Sequence, residues 1–197
     1  MLKVEQARSG DPILKWNNRL LSSRIDPRKE AVSFVNGLDV HPSTDVLLFI
    51  GLASGYQLVE AVKRFPDLHI IAIDGHGPIC EWIKKTHGME LRHAELKVLS
   101  QEDKGALQHL QARLLGVNYQ LVQIPSVRHI FPKWAYDLQD HLNFRSQQAF
   151  RFLVEKRSWS HATVETCQLA SIKELSEAVP KGSGLRPFVK ILRELVK

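Results

Sequence analysis

An α/β chain built round a mainly parallel sheet is predicted by three observations. Four strand-like runs, "DVLLFI", "LHIIAID", "HAELKVL" and "NYQLVQI", alternate with segments of helical periodicity. The connections between them are short, as successive β-α steps in one sheet require. The first run ends in a small-residue turn, "GLASG", that opens a helix, which is how a cofactor-binding first turn is written in such proteins. Together these predict a Rossmann-like, doubly wound sheet, preceded by a hairpin and followed by a helical extension.

The hairpin is read from "ILKW", the Asn17-Asn18 pair and "RLLSS", because asparagine tolerates the positive φ of a two-residue turn. In "IDPRKEAVSFVNG", Asp26 is an N-cap, Pro27 suits the first helical position and Glu30 favours the positive helix start. Ala31, Phe34, Val35 and Leu38 give that helix an apolar stripe that ends near Gly37. "DVLLFI" is apolar throughout, as a central parallel strand should be. "SGYQLVEAVKRF" is helical up to Pro66, "GPICEWIKKTH" up to Gly88, and a third helix runs over "SQEDKGALQHLQARLLG" with Ser100 as N-cap. Beyond Pro125, "FPKWAYDLQDHLNFRSQQAFRFLVEKR" and "SHATVETCQLASIKELSEAV" read as one helix each, "PKGSG" as a break, and "LRPFVKILRELVK" as an amphipathic basic helix. The expected organisation is a domain over residues 1–125, a helical extension packed on it over 126–180, and a tail helix over 181–197.

Length and composition narrow the function. The chain has 197 residues, enough for one domain or one domain with an appendage, and 44% of them are hydrophobic. Cys80 and Cys167 form no disulfide framework or metal-site spacing, and the opening residues lack the apolar core of a signal peptide. The expectation is a cytoplasmic protein with no membrane span. The net charge of +6 is mostly local: residues 181–197 carry a surplus of four, which leaves +2 on the rest. A balanced body with a basic docking helix argues against a nucleic-acid partner. The nine histidines show no paired ligand spacing, so no metal site is expected.

The glycine turn is the main candidate site. Gly51 and Gly55 bracket Ala53, Tyr56 opens the helix, and Asp74 ends the next strand 23 residues after Gly51. Such a carboxylate suits the two hydroxyls of a ribose. The spacing resembles S-adenosylmethionine-dependent methyltransferases, which usually carry an acid where this chain has Phe49 and a glycine where it has Ala53. A second reading stands beside it: Gly51 and Gly55 merely permit a tight turn, and Asp74 caps the next helix at "DGHGP". His76, next to Asp74 at the mouth of the expected cleft, is a candidate proton carrier or a plain loop residue. Cys80 is expected in the core, and Trp134, Tyr136 and Trp159 as core anchors. Arg24, just before the Asp26 cap, is expected to extend inward as a structural clamp, or to reach the turn as an anion contact. No catalytic nucleophile is legible.

Three stretches, "DPILKWNNRLLSSRIDPRKEAVSFV", "LLFIGLASGYQLVEAVKRFPDLHIIAID" and "EKRSWSHATVETCQLASI", resemble the N-terminal region of the motility-associated factor (Maf) glycosyltransferases. Those enzymes attach nonulosonic sugars to flagellin. The likeness rests on an S-R-x-D-P-x-x-E-A helix start, here Ser23, Arg24, Asp26, Pro27, Glu30 and Ala31, and on the turn at Gly51, Ala53, Gly55 and Tyr56. It runs from about residue 11 to about 175. In that family transfer belongs to a following domain, so the resemblance implies a stand-alone accessory domain without the transferase. The expected function is a non-catalytic binding or interaction module of flagellar or surface glycosylation, with flagellin or a glycosylation enzyme as partner. The alternatives are an S-adenosylmethionine-dependent methyltransferase and a nucleotide-sugar-binding protein.

Overall fold

The computed structural model describes residues 1–99, 103–115, 117–146, 148–149 and 152. The chain divides into two compact units, residues 1–146 and 147–197. The second expected extension helix, the "PKGSG" break, the basic tail helix, Trp159 and Cys167 lie outside the described residues.

The first unit opens with three strands, β1 (Leu2–Gln6), β2 (Pro12–Trp16) and β3 (Arg19–Leu20), in one antiparallel sheet of order β1-β2-β3. The β2–β3 turn has Asn17 at φ 44° and Asn18 at φ 66°, the left-handed pair that two-residue hairpins use. Strand β1 was not foreseen, because "LKVEQ" is a mostly exposed edge with little apolar signal. Helix α1 (Pro27–Asn36) starts at its proline, and the Asp26 carboxylate accepts the Lys29 N–H at 2.8 Å. Glu30 accepts the Ser23 N–H at 2.8 Å, tying the incoming loop to the helix.

Strand β4 (Val46–Ile50), helix α2 (Tyr56–Arg64), strand β5 (His69–Asp74), helix α3 (Gly77–His87), strand β6 (Ala94–Val98), helix α4 (Lys104–Leu114) and strand β7 (Tyr119–Gln123) follow in alternation. Their four strands form one parallel sheet of order β6-β5-β4-β7. The chain thus steps outward from β4 to β6, then returns to place β7 on the other side of β4. Every residue of β4 is buried. Leu47 and Phe49 join a core with Val35, Leu58, Ile79 and Ile83, whereas Leu48 and Ile50 join another with Leu110, Leu114 and Leu138. A continuous apolar strand is what burial on both faces demands.

Helices α5 (Pro125–Ile130) and α6 (Pro132–Leu142) complete this unit. Residues 126–146, expected in the extension, therefore belong to the same unit as the sheet. Three further local differences have physical causes. Helix α4 starts at Lys104, with Asp103 rather than Ser100 as the cap; its carboxylate accepts the Ala106 N–H at 3.0 Å. The long helix expected from Phe131 stops at Leu142, where Phe144 turns left-handed at φ 57°. Tyr136 is 44% exposed with the Arg128 guanidinium 4.9 Å over its ring, so it anchors no core, whereas Trp134 packs against both. Among the described residues no helix is long and apolar enough to cross a membrane, and no cluster of His, Cys, Asp or Glu could hold a metal ion.

Candidate functional site

The β4–α2 turn places Gly51, Ala53, Gly55 and Tyr56 at the carboxyl edge of the parallel sheet, with Asp74 and His76 beside them at the end of β5. Gly51 and Gly55 take φ of 90° and 84°, and Ala53 takes 49°. At Ala53 the chain holds a left-handed conformation that glycine adopts without strain. The alanine methyl is not wasted, because the residue is fully buried in the core on that face.

Three of the turn's N–H groups are spent within the protein. The Gly51 N–H donates to the Ile73 carbonyl at 2.7 Å, the Gly55 N–H to the Leu52 carbonyl at 2.9 Å, and the Leu52 N–H to Asp74 Oδ2 at 3.0 Å. Asp74 is fully buried, and its other oxygen, Oδ1, accepts the His76 N–H at 2.9 Å and lies 3.0 Å from His76 Nδ1. The carboxylate is thus satisfied by the turn and by the head of α3. His76 is held among aromatic rings, with centroids 4.1 Å from Phe131 and 4.7 Å from Trp16.

The space above the turn is occupied by the chain's own side chains. A Cβ on Gly51 would stand 2.4 Å from Val127 of α5, and one on Gly55 would stand 2.8 Å from the His87 ring. His87 is itself buried; its Nε2 lies 3.1 Å from the Ser54 carbonyl and its Nδ1 3.2 Å from Glu90. The three-stranded sheet fastens on from the other side. The Leu14 N–H donates to Ser54 Oγ at 2.9 Å, the Tyr56 hydroxyl donates to the Pro12 carbonyl at 2.8 Å, and Ser126 Oγ donates to the Leu21 carbonyl at 2.6 Å. Arg28, 5.4 Å from the Tyr56 ring, pairs with Asp11 at 2.8 Å. Burial pushes the Tyr56 hydroxyl up to about 12. Leu52, Ala53 and Ser54 are all fully buried as a result.

The structure thus brings Gly51, Ala53, Gly55, Tyr56, Asp74 and His76 together, and leaves Arg24 and Asp26 out. Asp26 is the α1 cap. Arg24 is exposed rather than inward, and its backbone carbonyl accepts the Arg8 N–H at 2.9 Å. Sequence reasoning missed Ser54, His87 and Val127, whose roles come from distant elements that meet only in the fold. It also missed Gln57, which is 3% exposed. The one signal for Gln57 is its place a helical turn before the fully buried Ala61. Among the described residues, a cavity of about 300 Å³ lies beside Gln57 and another of about 430 Å³ beside Arg128 and Tyr136.

No protein-family model matches this chain, and no curated protein is similar to it.

Proposed function

We propose that this chain is a non-catalytic binding or interaction module of Rossmann-like, doubly wound fold, acting in flagellar or surface glycosylation. The strand order, with helices packed against both faces of the sheet, supports the fold. The glycosylation context rests on the resemblance to the motility-associated factor proteins. One observation carries the non-catalytic part: the Gly51, Leu52 and Gly55 N–H groups and both oxygens of Asp74 are bonded within the protein itself. A methyltransferase or nucleotide-sugar site needs those groups turned toward a ligand.

Two measurements test the reading. Calorimetric titration with S-adenosylhomocysteine at about 1 mM, where even an affinity of about 4 kcal/mol registers, should give no heat. Heat that a folded Asp74→Asn variant loses would establish the methyltransferase reading instead. Purified flagellin and its glycosyltransferase, each immobilised and titrated with the protein, should show saturable binding to one of them. Binding to neither, or sugar transfer to flagellin by the protein alone, overturns the proposal.

A further inference from the structure

Strand β1 closes one side of the three-stranded sheet, so its outer edge pairs with no strand. The bonds that flank its ladder with β2 fix which groups face outward. The Asn17 N–H donates to the Met1 carbonyl at 3.2 Å, and the Ala7 N–H donates to the Asp11 carbonyl at 2.9 Å. Hydrogen-bonded pairs alternate in an antiparallel ladder, so Met1, Lys3, Glu5 and Ala7 direct their backbone groups to β2. Leu2, Val4 and Gln6 direct theirs outward. Leu14, opposite Val4, agrees: its N–H goes to Ser54 at 2.9 Å and its carbonyl takes the Leu21 N–H at 2.9 Å. Among the described residues, no backbone bond meets the outward groups of Leu2, Val4 or Gln6. The next outward amide, that of Arg8, is held by the Arg24 carbonyl at 2.9 Å, which bounds the open edge. Val4, at its middle, is 53% exposed.

We infer that this edge pairs with the same edge of a second copy of the chain, antiparallel and centred on Val4. Backbone direction and charge select that partner and that register together. With Val4 opposite Val4 of the second copy, Leu2 stands opposite its Gln6, so the residues that meet are those facing outward. The same register sets Lys3 opposite Glu5 of the second copy, and Glu5 opposite its Lys3. Both fall in non-hydrogen-bonded pairs, where side chains come closest. Sliding the second copy by two residues either way would set Lys3 against Lys3 or Glu5 against Glu5. Both charges have room for the new contact. Lys3 makes no ion pair among the described residues, and across the ladder it faces Lys15, a like charge. Glu5 binds Lys15 through Oε1 at 2.8 Å, which leaves Oε2 for a second ammonium. A strand of 5 residues on each side is far short of the roughly 20–30 of a standard interface, so the dimer is a weak one. The pairing needs neither the glycine turn nor the glycosylation context.

Sedimentation equilibrium of the full chain at low salt, up to about 1 mM, should show a monomer–dimer equilibrium with a Kd on the order of 100 μM. Lys3→Glu sets carboxylates opposite each other across the two-fold and should weaken the dimer by about tenfold. Lys3→Glu combined with Glu5→Lys exchanges the charges and should restore the dimer to within about threefold of the parent. Register is read by oxidative cross-linking in a Cys167→Ser background, where the remaining Cys80 is buried. Val4→Cys should form a disulfide-linked dimer, because the paired Cα atoms would stand about 5.5 Å apart. Gln6→Cys should not, since its two copies would be about 14 Å apart. Exposure of both positions makes loss of the fold an unlikely source of either result, and circular dichroism checks it. A chain still monomeric at about 1 mM overturns the inference and makes Lys3 a guard of the edge. A dimer indifferent to Lys3→Glu, one that the exchanged charges fail to restore, or cross-linking no better at Val4→Cys than at Gln6→Cys overturns it equally.

Discussion

Asp74 Oδ2 accepts the Leu52 N–H at 3.0 Å, which ties the end of one parallel strand to the turn that follows its neighbour. With the His76 N–H on Oδ1 at 2.9 Å, the carboxylate is a staple between two loops of the same sheet edge. Asp74→Asn keeps the shape but turns an amide N–H₂ toward one of those donors. It should destabilise the protein by about 1–3 kcal/mol in urea unfolding, with hydrogen exchange rising at Leu52 or His76. A variant as stable as the parent would show that the carboxylate is not needed to hold the turn.

Gly51 and Gly10 separate backbone strain from crowding. Their φ values are 90° and 89°, but a Cβ on Gly10 meets nothing within 4 Å, whereas one on Gly51 would stand 2.4 Å from Val127. Gly10→Ala should cost about 1–3 kcal/mol, the strain of the conformation alone. Gly51→Ala should cost about 1–3 kcal/mol more, because α5 must move to admit the methyl. Equal losses in thermal unfolding would mean that Val127 does not close over the turn.

This pair also shows what could be read from the sequence and what could not. The alternation of "DVLLFI" and "LHIIAID" with helical segments carries the parallel sheet, since Val46–Ile50 and Ile70–Ile73 are buried and apolar without interruption. The Asp26-Pro27 start and the Asn17-Asn18 turn are equally legible, because cap and turn chemistry is local. The turn at Gly51 was recognisable as a turn, but what lies over it was not. Val127 lies 76 positions away and Leu14 lies 40 positions before Ser54, and no local pattern marks either contact. Helix α5 was missed because six residues between two prolines carry too little periodicity.

Glu95 gives the fold an acid-sensitive contact. Arg113 grips its two oxygens at 2.8 and 2.9 Å and Lys97 adds a contact at 3.0 Å. The Arg113 hydrogen bonds, with help from Lys97, hold the Glu95 carboxyl down at about 2, against an ordinary value of 4.5. A carboxylate with a depressed native pKa adds stability that is complete above about 4.5 and is lost as pH falls toward about 2. The groups are partly exposed, with side-chain exposures of 39% for Arg113 and 31% for Glu95. The contribution is therefore screened to about 1 kcal/mol. Glu95→Gln should be less stable than the parent by that amount at pH 7, and the gap should narrow steadily in urea titrations from pH 5 to pH 3. A gap independent of pH would assign the loss to packing rather than charge.

Ser54 supplies the most direct test of whether the three-stranded sheet seals the glycine turn in solution. Its Oγ accepts the Leu14 N–H at 2.9 Å, and both residues are fully buried. Ser54→Ala removes little volume but strands a backbone donor away from water. The expected cost is about 1–3 kcal/mol, close to that of an unmet buried N–H. Its location should be visible too: amide exchange should quicken at Leu14, while the Gly51 N–H, held by Ile73 at 2.7 Å within the parallel sheet, stays protected. That pattern would mean that β2 loosens over an intact turn. If Leu14 already exchanges freely in the parent, the seal is open in solution and the turn is accessible to a ligand. The non-catalytic reading would then rest on the bonding of the turn and Asp74 alone.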